Sequence, residues 1–143
     1  MSEAATGTPR LTKVIEEFSS APKTLRLPLL LEYANRLPKL PDDMGELEQV
    51  HECQTPLFLK AALEDDETVS LYFDAPPEAP TTRGFASVVH AVLDGATVDE
   101  VLETPEDFYT KMGLAELISP LRLRGMSAIL TRVKNQVRAQ AGA

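Results

Sequence analysis

The chain has 143 residues, of which 43% are hydrophobic and 25% are charged, so it is long enough for one compact domain and does not have the composition of a disordered protein. Its formal net charge of −8 argues against a nucleic-acid-binding protein, because affinity for phosphates comes mostly from clustered lysines and arginines. No apolar run approaches the roughly 18 residues that span a bilayer, and the N-terminus has no signal-peptide core, so we expect a cytoplasmic protein that binds neither nucleic acid nor membrane.

The N-terminal part of the chain is predicted to be helical after a short polar lead. Residues 1–10 are small and polar and are expected to form a disordered lead, followed by a single domain over residues 11–140. Apolar residues at helical spacing predict a helix over 11–18 and a second helix over 25–37. Pro28 lies inside the second pattern, which indicates either a kink or a helix that begins at the proline.

Two apolar runs in the middle of the chain predict a β-hairpin. They cover residues 57–63 and 69–74 and are separated by the polar sequence EDDET. In the second run Val69, Leu71 and Phe73 alternate with more polar residues, as in a strand that buries one face. The proline-rich sequence APPEAPTT follows and interrupts regular structure.

The rest of the chain is predicted to be helical again. An apolar stripe predicts a helix over 83–93. Thr97 followed by Glu100 has the pattern of a capping box, and a Thr-Pro start with a terminal glycine predicts a helix over 105–112. Ser119, followed by proline, is expected to open a long amphipathic helix. Helices, then a small antiparallel sheet, then helices indicate an α+β domain.

Cys53 is the only cysteine of the chain and lies in the polar sequence HECQT. A cysteine nucleophile reacts as the thiolate, and an ordinary pKa of about 8.5 leaves only a few per cent of a thiol ionised at pH 7. Glu52 beside it disfavours the thiolate, whereas His51 favours it if the chain bends. The alternative is an inert thiol in the core, since unpaired cysteines are among the most buried residues. The local sequence leaves both interpretations of Cys53 open.

Metal and nucleotide sites are not predicted. The single cysteine and the two histidines, His51 and His90, lack the spacing of a zinc site. His90 lies on a valine-rich helical stripe, where a structural histidine is expected. The sequence contains no glycine-rich phosphate loop. We therefore expect no resident metal or cofactor.

Four segments taken together resemble the SufE family of sulfur-acceptor proteins. They are LLLEYANRLPKLP, HECQTPLFL, FDAPPEAPTTRGFASVVHAVLDG and FYTKMGLAELISPLRLRGMSAI. They occur in the family's order and cover nearly the whole chain after its first ten residues. The cysteine-glutamine core, the arginine-glycine helix start and the Ser-Pro-x-Arg-x-x-Gly helix start make the combination specific.

The resemblance implies a fold and a function. The fold is a small curved antiparallel sheet of about three strands flanked by helices, like that of the IscU-type scaffold. The function is to take sulfane sulfur from a SufS-type cysteine desulfurase, whose PLP belongs to that partner, and to stimulate this enzyme. The sulfur then passes to the SufBCD scaffold, through SufB, for iron–sulfur cluster assembly. Such a protein is a sulfur-transfer partner rather than an independent enzyme, and a monomer or weak homodimer.

The resemblance also assigns residues to the site. Cys53 matches the acceptor cysteine, and Glu52 stands where family members often carry glycine. Shielding of the thiol by apolar neighbours raises its pKa unless a cation compensates, and Arg83 or Arg122 is the expected cation. The residues expected to line or support the site are Gln54, His51, Arg83, Gly84, Arg122 and Asp74.

Two other functions stay open at this point. The first is a thiol-based redox-responsive protein in which Cys53 is oxidised to a sulfenic acid, and it predicts a reaction with peroxide in the absence of any desulfurase. The second is an interaction domain with a structural cysteine, for which Cys53→Ser would leave every activity intact. Both differ from the sulfur carrier in what the thiol does, so the surroundings of Cys53 have to decide between them.

Overall fold

The structure, a computed structural model, describes residues 8–53 and 55–142. Within these residues it contains five α-helices, one 3₁₀ turn and one three-stranded sheet. In chain order the elements are α1 (Pro9–Ser20), α2 (Lys23–Ala34), β1 (Glu48–Gln49), β2 (Phe58–Leu63), β3 (Val69–Asp74), α3 (Pro80–Leu93), α4 (Val98–Glu103), the 3₁₀ turn (Phe108–Thr110) and α5 (Pro120–Ala141). The predicted α+β fold with a small antiparallel sheet is confirmed.

In the sheet, each strand pairs with the next one along the chain. β2 lies in the centre, antiparallel to both β1 and β3. Phe58 of β2 pairs with Gln49 on one side and with Asp74 on the other. The predicted hairpin is therefore confirmed, although β2 begins one residue later than expected.

β1 has only two residues, so it covers only part of one edge of β2, and side chains of α5 cover a further part. The amide oxygen of Gln136 accepts a hydrogen bond from the N–H of Ala61 (2.7 Å). Gln140 accepts from the N–H of Leu63 (2.9 Å) and donates to the carbonyl of Ala61 (2.6 Å). These bonds satisfy backbone groups that would otherwise be free to pair with another chain, and they fix α5 against the sheet.

α1 begins earlier than the sequence pattern indicates. Thr8 is buried, and its hydroxyl accepts from the N–H of Leu11 (3.1 Å) and donates to the carbonyl of Val92 in α3 (3.0 Å). This cap starts the helix at Pro9 and ties it to the core. α1 therefore begins two residues before the predicted start of the domain at residue 11, and the first seven residues of the predicted lead lie outside the described residues.

α2 begins at Lys23, five residues before Pro28, so of the two alternatives left open for this helix the start at the proline is wrong. Pro28 lacks the N–H that would bond the carbonyl of Thr24. Thr24 is exposed, so water can take the place of the missing donor. On its inner face α2 buries Leu30 and Tyr33, which join the hydrophobic core.

The segment after α4 is less helical than predicted. The capping box of Thr97 and Glu100 is confirmed. Thr104, which was expected to cap a new helix, instead ends α4, because its N–H donates to the carbonyl of Val101 and its hydroxyl donates to that of Glu100. The predicted helix over 105–112 is wrong, and the structure has only the 3₁₀ turn there.

The helices gather around α3, which packs against α1, α2, α5 and β3. α3 begins at Pro80, three residues before the predicted start, and buries every residue from Gly84 to Val89. The residues of α3 before Gly84 are only partly buried or exposed, so the first turn of this helix lies at the edge of the core, beside the loop that carries Cys53. In the part of the chain that the structure describes, no helix is long and apolar enough to cross a membrane.

Candidate functional site

Cys53 lies in the loop that joins β1 to β2. The loop is closed at its base, because the N–H of Val50 donates to the carbonyl of Leu57 (2.8 Å) and both side chains are fully buried. Within the loop, the N–H of Cys53 donates to the carbonyl of Val50 (3.1 Å) and forms a turn. The buried ends hold a short loop in place, and such loops on rigid elements often carry reactive groups.

The first turns of α5 form the surface against which the thiol packs. Ser119 caps this helix as predicted, since its hydroxyl accepts from the N–H of Arg122 (3.3 Å). Gly125 is buried in the next turn, and its carbonyl oxygen lies 3.9 Å from Sγ of Cys53. A Cβ on Gly125 would lie 3.1 Å from this sulfur, so a larger residue would press on the thiol. This role could not be predicted, because no local pattern shows what packs on a helix glycine.

Burial raises the pKa of the Cys53 thiol to about 11. Loss of solvent around the thiolate is the largest cause, the negative charge of Glu52 adds to it, and the positive charge of Arg132 opposes it. About one thiol in ten thousand is then ionised at pH 7, so the thiol is a weak nucleophile in the free protein. Cys53 is nevertheless only half-buried, and a change at the loop surface can therefore alter its ionisation.

Arg132 of α5 connects this helix to the Cys53 loop through two carboxylates. Its Nε and Nη2 lie 3.1 and 2.7 Å from one carboxylate oxygen of Glu52, and its Nη1 lies 2.5 Å from Glu48. The hydrogen bond from Arg132 is the largest cause of a lowered pKa at Glu52. Gln136 donates to the second oxygen of Glu48 (2.8 Å). The loop before Cys53 is thus tied to α5 by a charged network.

Glu52→Gln is expected to lower the pKa of Cys53, because it removes the negative charge that opposes the thiolate. Iodoacetamide should then alkylate the thiol about threefold to tenfold faster at pH 8. Arg132→Gln removes the opposing cation, so we expect slower alkylation in that variant. Glu64→Gln, in the exposed turn after β2, is the control for loss of a distant carboxylate. Faster alkylation in both Glu52→Gln and Arg132→Gln would show that loosening of the loop, rather than charge, sets the reactivity.

A cavity of about 260 Å³ opens beside Cys53. Its walls come from the Cys53 loop, from the start of α3 and from the first turns of α5. The lining residues are Cys53, Thr55, Glu78, Ala79, Pro80, Thr81, Thr82, Leu121, Arg122 and Gly125. Across residues 8–53 and 55–142, no three His, Cys, Asp or Glu side chains are grouped so that they could hold a metal ion. The cavity has room for a small group carried on the thiol itself.

Of the predicted site residues in the described ranges, Arg122 lines this cavity together with Cys53, whereas Arg83 does not. Arg122 is exposed on the first turn of α5. Arg83 instead connects backbone groups, donating from Nε to the carbonyl of Ala34 (2.9 Å) and from Nη1 to that of Ala75 (2.6 Å). The cation whose charge lowers the pKa of Cys53 is Arg132 rather than either of the two expected arginines.

The other predicted site residues lie away from the cavity or outside the described residues. Gly84 is buried where α3 meets α2, and a Cβ there would collide with the carbonyl oxygen of Leu30. His51 is exposed in the turn that leads to the thiol. Asp74 is exposed at the end of β3 and lines a different groove, next to the residues that precede β1. Gln54 lies outside the described residues.

Comparison with known proteins relates nearly the whole chain to one family. A family model described as "SufE: Fe-S metabolism associated domain" matches residues 12–137. The chain is 53% identical over 130 residues to an uncharacterized SufE-like protein of Mycobacterium tuberculosis, covering 90% of this chain and 91% of the relative. It is 26% identical over 125 residues to SufE-like protein 1, chloroplastic/mitochondrial, of Arabidopsis thaliana, covering 85% of this chain and 33% of the relative. The solution structure of a hypothetical protein from Thermus thermophilus matches with a TM-score of 0.85 at 47% identity, covering 94% of this chain and 98% of the other.

Proposed function

Because the chain belongs to the SufE family, whose domain is associated with Fe-S metabolism, we propose that it is a persulfide carrier for iron–sulfur cluster assembly. Cys53 takes sulfane sulfur from a SufS-type cysteine desulfurase, stimulates that enzyme, and passes the sulfur to the SufBCD scaffold. PLP remains in the desulfurase, and the carrier works in the cytoplasm without a cofactor of its own.

The observation that carries this proposal is the position of the single thiol. Cys53 is half-buried on an anchored loop, beside a cavity that can receive a second sulfur atom. The sequence has no other cysteine. A second thiol nearby would attack the persulfide and form a disulfide, so a chain with one cysteine keeps the sulfur until an acceptor arrives.

The transfer step is a thiol exchange at sulfur. The Cys53 thiol gives its proton to a base, and the resulting thiolate attacks the terminal sulfur of the donor persulfide. A bond forms between Sγ of Cys53 and that sulfur, the sulfur–sulfur bond of the donor breaks, and the donor cysteine leaves as a thiolate. The sulfane sulfur changes carrier without net oxidation or reduction.

The high pKa of Cys53 supports a carrier that stays inactive until its partner docks. A partner that covers the loop can bring a cation to the thiol or can displace Glu52, and either change favours the thiolate. Leu121 and Arg122 of α5 line the cavity, and Arg124 follows two residues later; all three are exposed. The two arginines suit a partner surface with acidic groups. Dilute peroxide brings no such change, so a protonated thiol is poorly suited to a redox sensor.

Intact-protein mass spectrometry tests the proposal. After incubation with a SufS-type desulfurase and cysteine, we expect the chain to gain one sulfur atom that reductant removes, and Cys53→Ser to gain none. Dilute peroxide without the desulfurase should leave the mass of Cys53-containing protein unchanged over the same time. No gain of sulfur from a demonstrably active desulfurase would reject the carrier function, and rapid oxidation by peroxide would favour the redox alternative.

A further inference from the structure

The cavity beside Cys53 is bordered by two opposite charges that do not pair with each other. Glu78 comes shortly before α3 and Arg122 lies on the first turn of α5; both residues line the cavity and both are exposed. In the part of the chain that the structure describes, neither charged group forms an ion pair or a hydrogen bond. Arg132 on the same helix, in contrast, binds two carboxylates. The charges of Glu78 and Arg122 are therefore available to a ligand.

The start of α3 adds hydrogen-bond donors to the same cavity. Ala79, the residue before this helix, provides no side-chain cap, and the N–H groups of Thr81 and Thr82 have no acceptor among residues 8–53 and 55–142. The N–H groups of a first helical turn point out of the N-terminal end of the helix and carry partial positive charge. The cavity lies at this end of α3, since Ala79, Pro80, Thr81 and Thr82 all line it. Together with Arg122, this end of the helix suits a carboxylate.

Glu78 restricts the kind of ligand that the cavity can hold. Because it comes just before the start of α3, it places a negative charge beside the group of donors that suits an anion. A purely anionic ligand is repelled by this charge, whereas a ligand with an adjacent ammonium group is attracted by it. An α-amino acid carries a carboxylate and an ammonium group on the same carbon atom. The cavity, at about 260 Å³, is smaller than the roughly 300–1,000 Å³ of pockets for drug-sized ligands, so it suits a small amino acid.

We propose that this cavity binds a small zwitterionic amino acid, whose carboxylate lies between Arg122 and the start of α3 and whose ammonium group faces Glu78. Because Cys53 lines the same cavity, the bound amino acid covers the thiol and keeps other molecules from reaching it. Cysteine, the substrate of the desulfurase in the proposed function, belongs to this class of ligand. The inference goes beyond the proposed function and concerns the unloaded chain, so it does not depend on sulfur transfer.

The test uses L-serine, which has the shape of cysteine but carries a hydroxyl in place of the thiol and cannot take part in sulfur exchange. Its binding to the isotope-labelled full chain is followed by NMR through the backbone amide signals. Two related compounds each lack one charge: ethanolamine has no carboxylate, and β-hydroxypropionate has no ammonium group. Arg122→Gln and Glu78→Gln each remove one charge from the cavity. Arg124→Gln and Glu64→Gln are the matched controls, because both residues are exposed and neither lines the cavity.

We expect L-serine to shift the amide signals of Thr81 and Thr82 in a saturable manner, with half-saturation on the order of 1–10 mM. Arg122→Gln and Glu78→Gln should each raise this concentration about threefold to tenfold, because each removes one charged contact with the ligand. Ethanolamine and β-hydroxypropionate should bind more weakly than L-serine for the same reason. The two control variants should bind L-serine like the unchanged protein.

The reactivity of Cys53 gives a second readout. In the presence of saturating L-serine, iodoacetamide should alkylate the thiol more slowly at pH 8, because the ligand fills the cavity that the thiol lines. The inference is overturned if L-serine causes no saturable shift, if either compound with a single charge binds as tightly as L-serine, if the cavity variants bind like the controls, or if bound L-serine leaves the alkylation rate unchanged. Tight binding of β-hydroxypropionate in particular would show that the cavity is a site for anions rather than for amino acids. None of these measurements needs a desulfurase, so failure of this inference and failure of the carrier function can be told apart.

Discussion

Gly125→Val is expected to make iodoacetamide alkylate Cys53 about tenfold to a hundredfold faster at pH 7.5. The first added carbon already lies 3.1 Å from Sγ and 3.5 Å from Cα of Cys53, and it also approaches the carbonyl oxygen of Glu52 at 3.6 Å. The two further methyl carbons of valine must therefore push the thiol and its loop away from α5. Burial is the largest cause of the pKa of about 11, so the displaced thiol should ionise at a pH closer to its ordinary pKa.

Two further variants separate this effect from a general disturbance of α5. Gly125→Ala adds only the first carbon and should give an intermediate rate, because Sγ can move by a few tenths of an ångström. Asn135→Val places the same β-branched residue on the exposed face of the helix and should leave the rate unchanged. If folded Gly125→Val reacts within about twofold of the unchanged protein, contact with Gly125 does not set the burial of the thiol.

Much of the fold could be predicted because local sequence determines it. The alternation of Val69, Leu71 and Phe73 identified β3, and the caps at Thr97 and Ser119 marked two helix starts. The cap at Thr8 could not be predicted in the same way, since its hydroxyl also bonds the carbonyl of a residue 84 positions away. The differences between the predicted and observed elements arise where such distant contacts, or a local alternative such as that at Thr104, decide the structure.

At the candidate site, too, local sequence identifies some residues, whereas others depend on distant contacts. Cys53 could be identified from the sequence because it is the only thiol and lies in a recognisable motif. Gly125 belongs to the Ser-Pro-x-Arg-x-x-Gly motif, but its contact with the thiol could not be predicted, and neither could the role of Arg132. Both residues reach the Cys53 loop from far along the chain, 72 and 80 positions away.

Gly84→Ala is expected to lower the free energy of unfolding by about 2–3 kcal/mol, measured with urea. The added Cβ would collide with the carbonyl oxygen of Leu30 and lie 3.1 Å from its Cγ. Backbone cannot move aside as a flexible side chain does, so α2 and α3 would have to separate. A loss of this size is a large part of the total stability of about 5–15 kcal/mol that is usual for a domain.

Ser87→Ala is the control for substitution in this helix, because Ser87 is another buried residue of α3 and the change adds no volume. It should lower the free energy of unfolding by less than about 1.5 kcal/mol. In folded Gly84→Ala the alkylation profile of Cys53 should be unchanged, because Gly84 does not line its cavity. A Gly84→Ala protein that keeps its stability but fails to take up sulfur would instead place this glycine in the transfer step. The expected result assigns the arginine-glycine pair a structural role. Arg83 ties the end of α2 to the chain after β3, and Gly84 lets α3 approach the backbone of α2 closely.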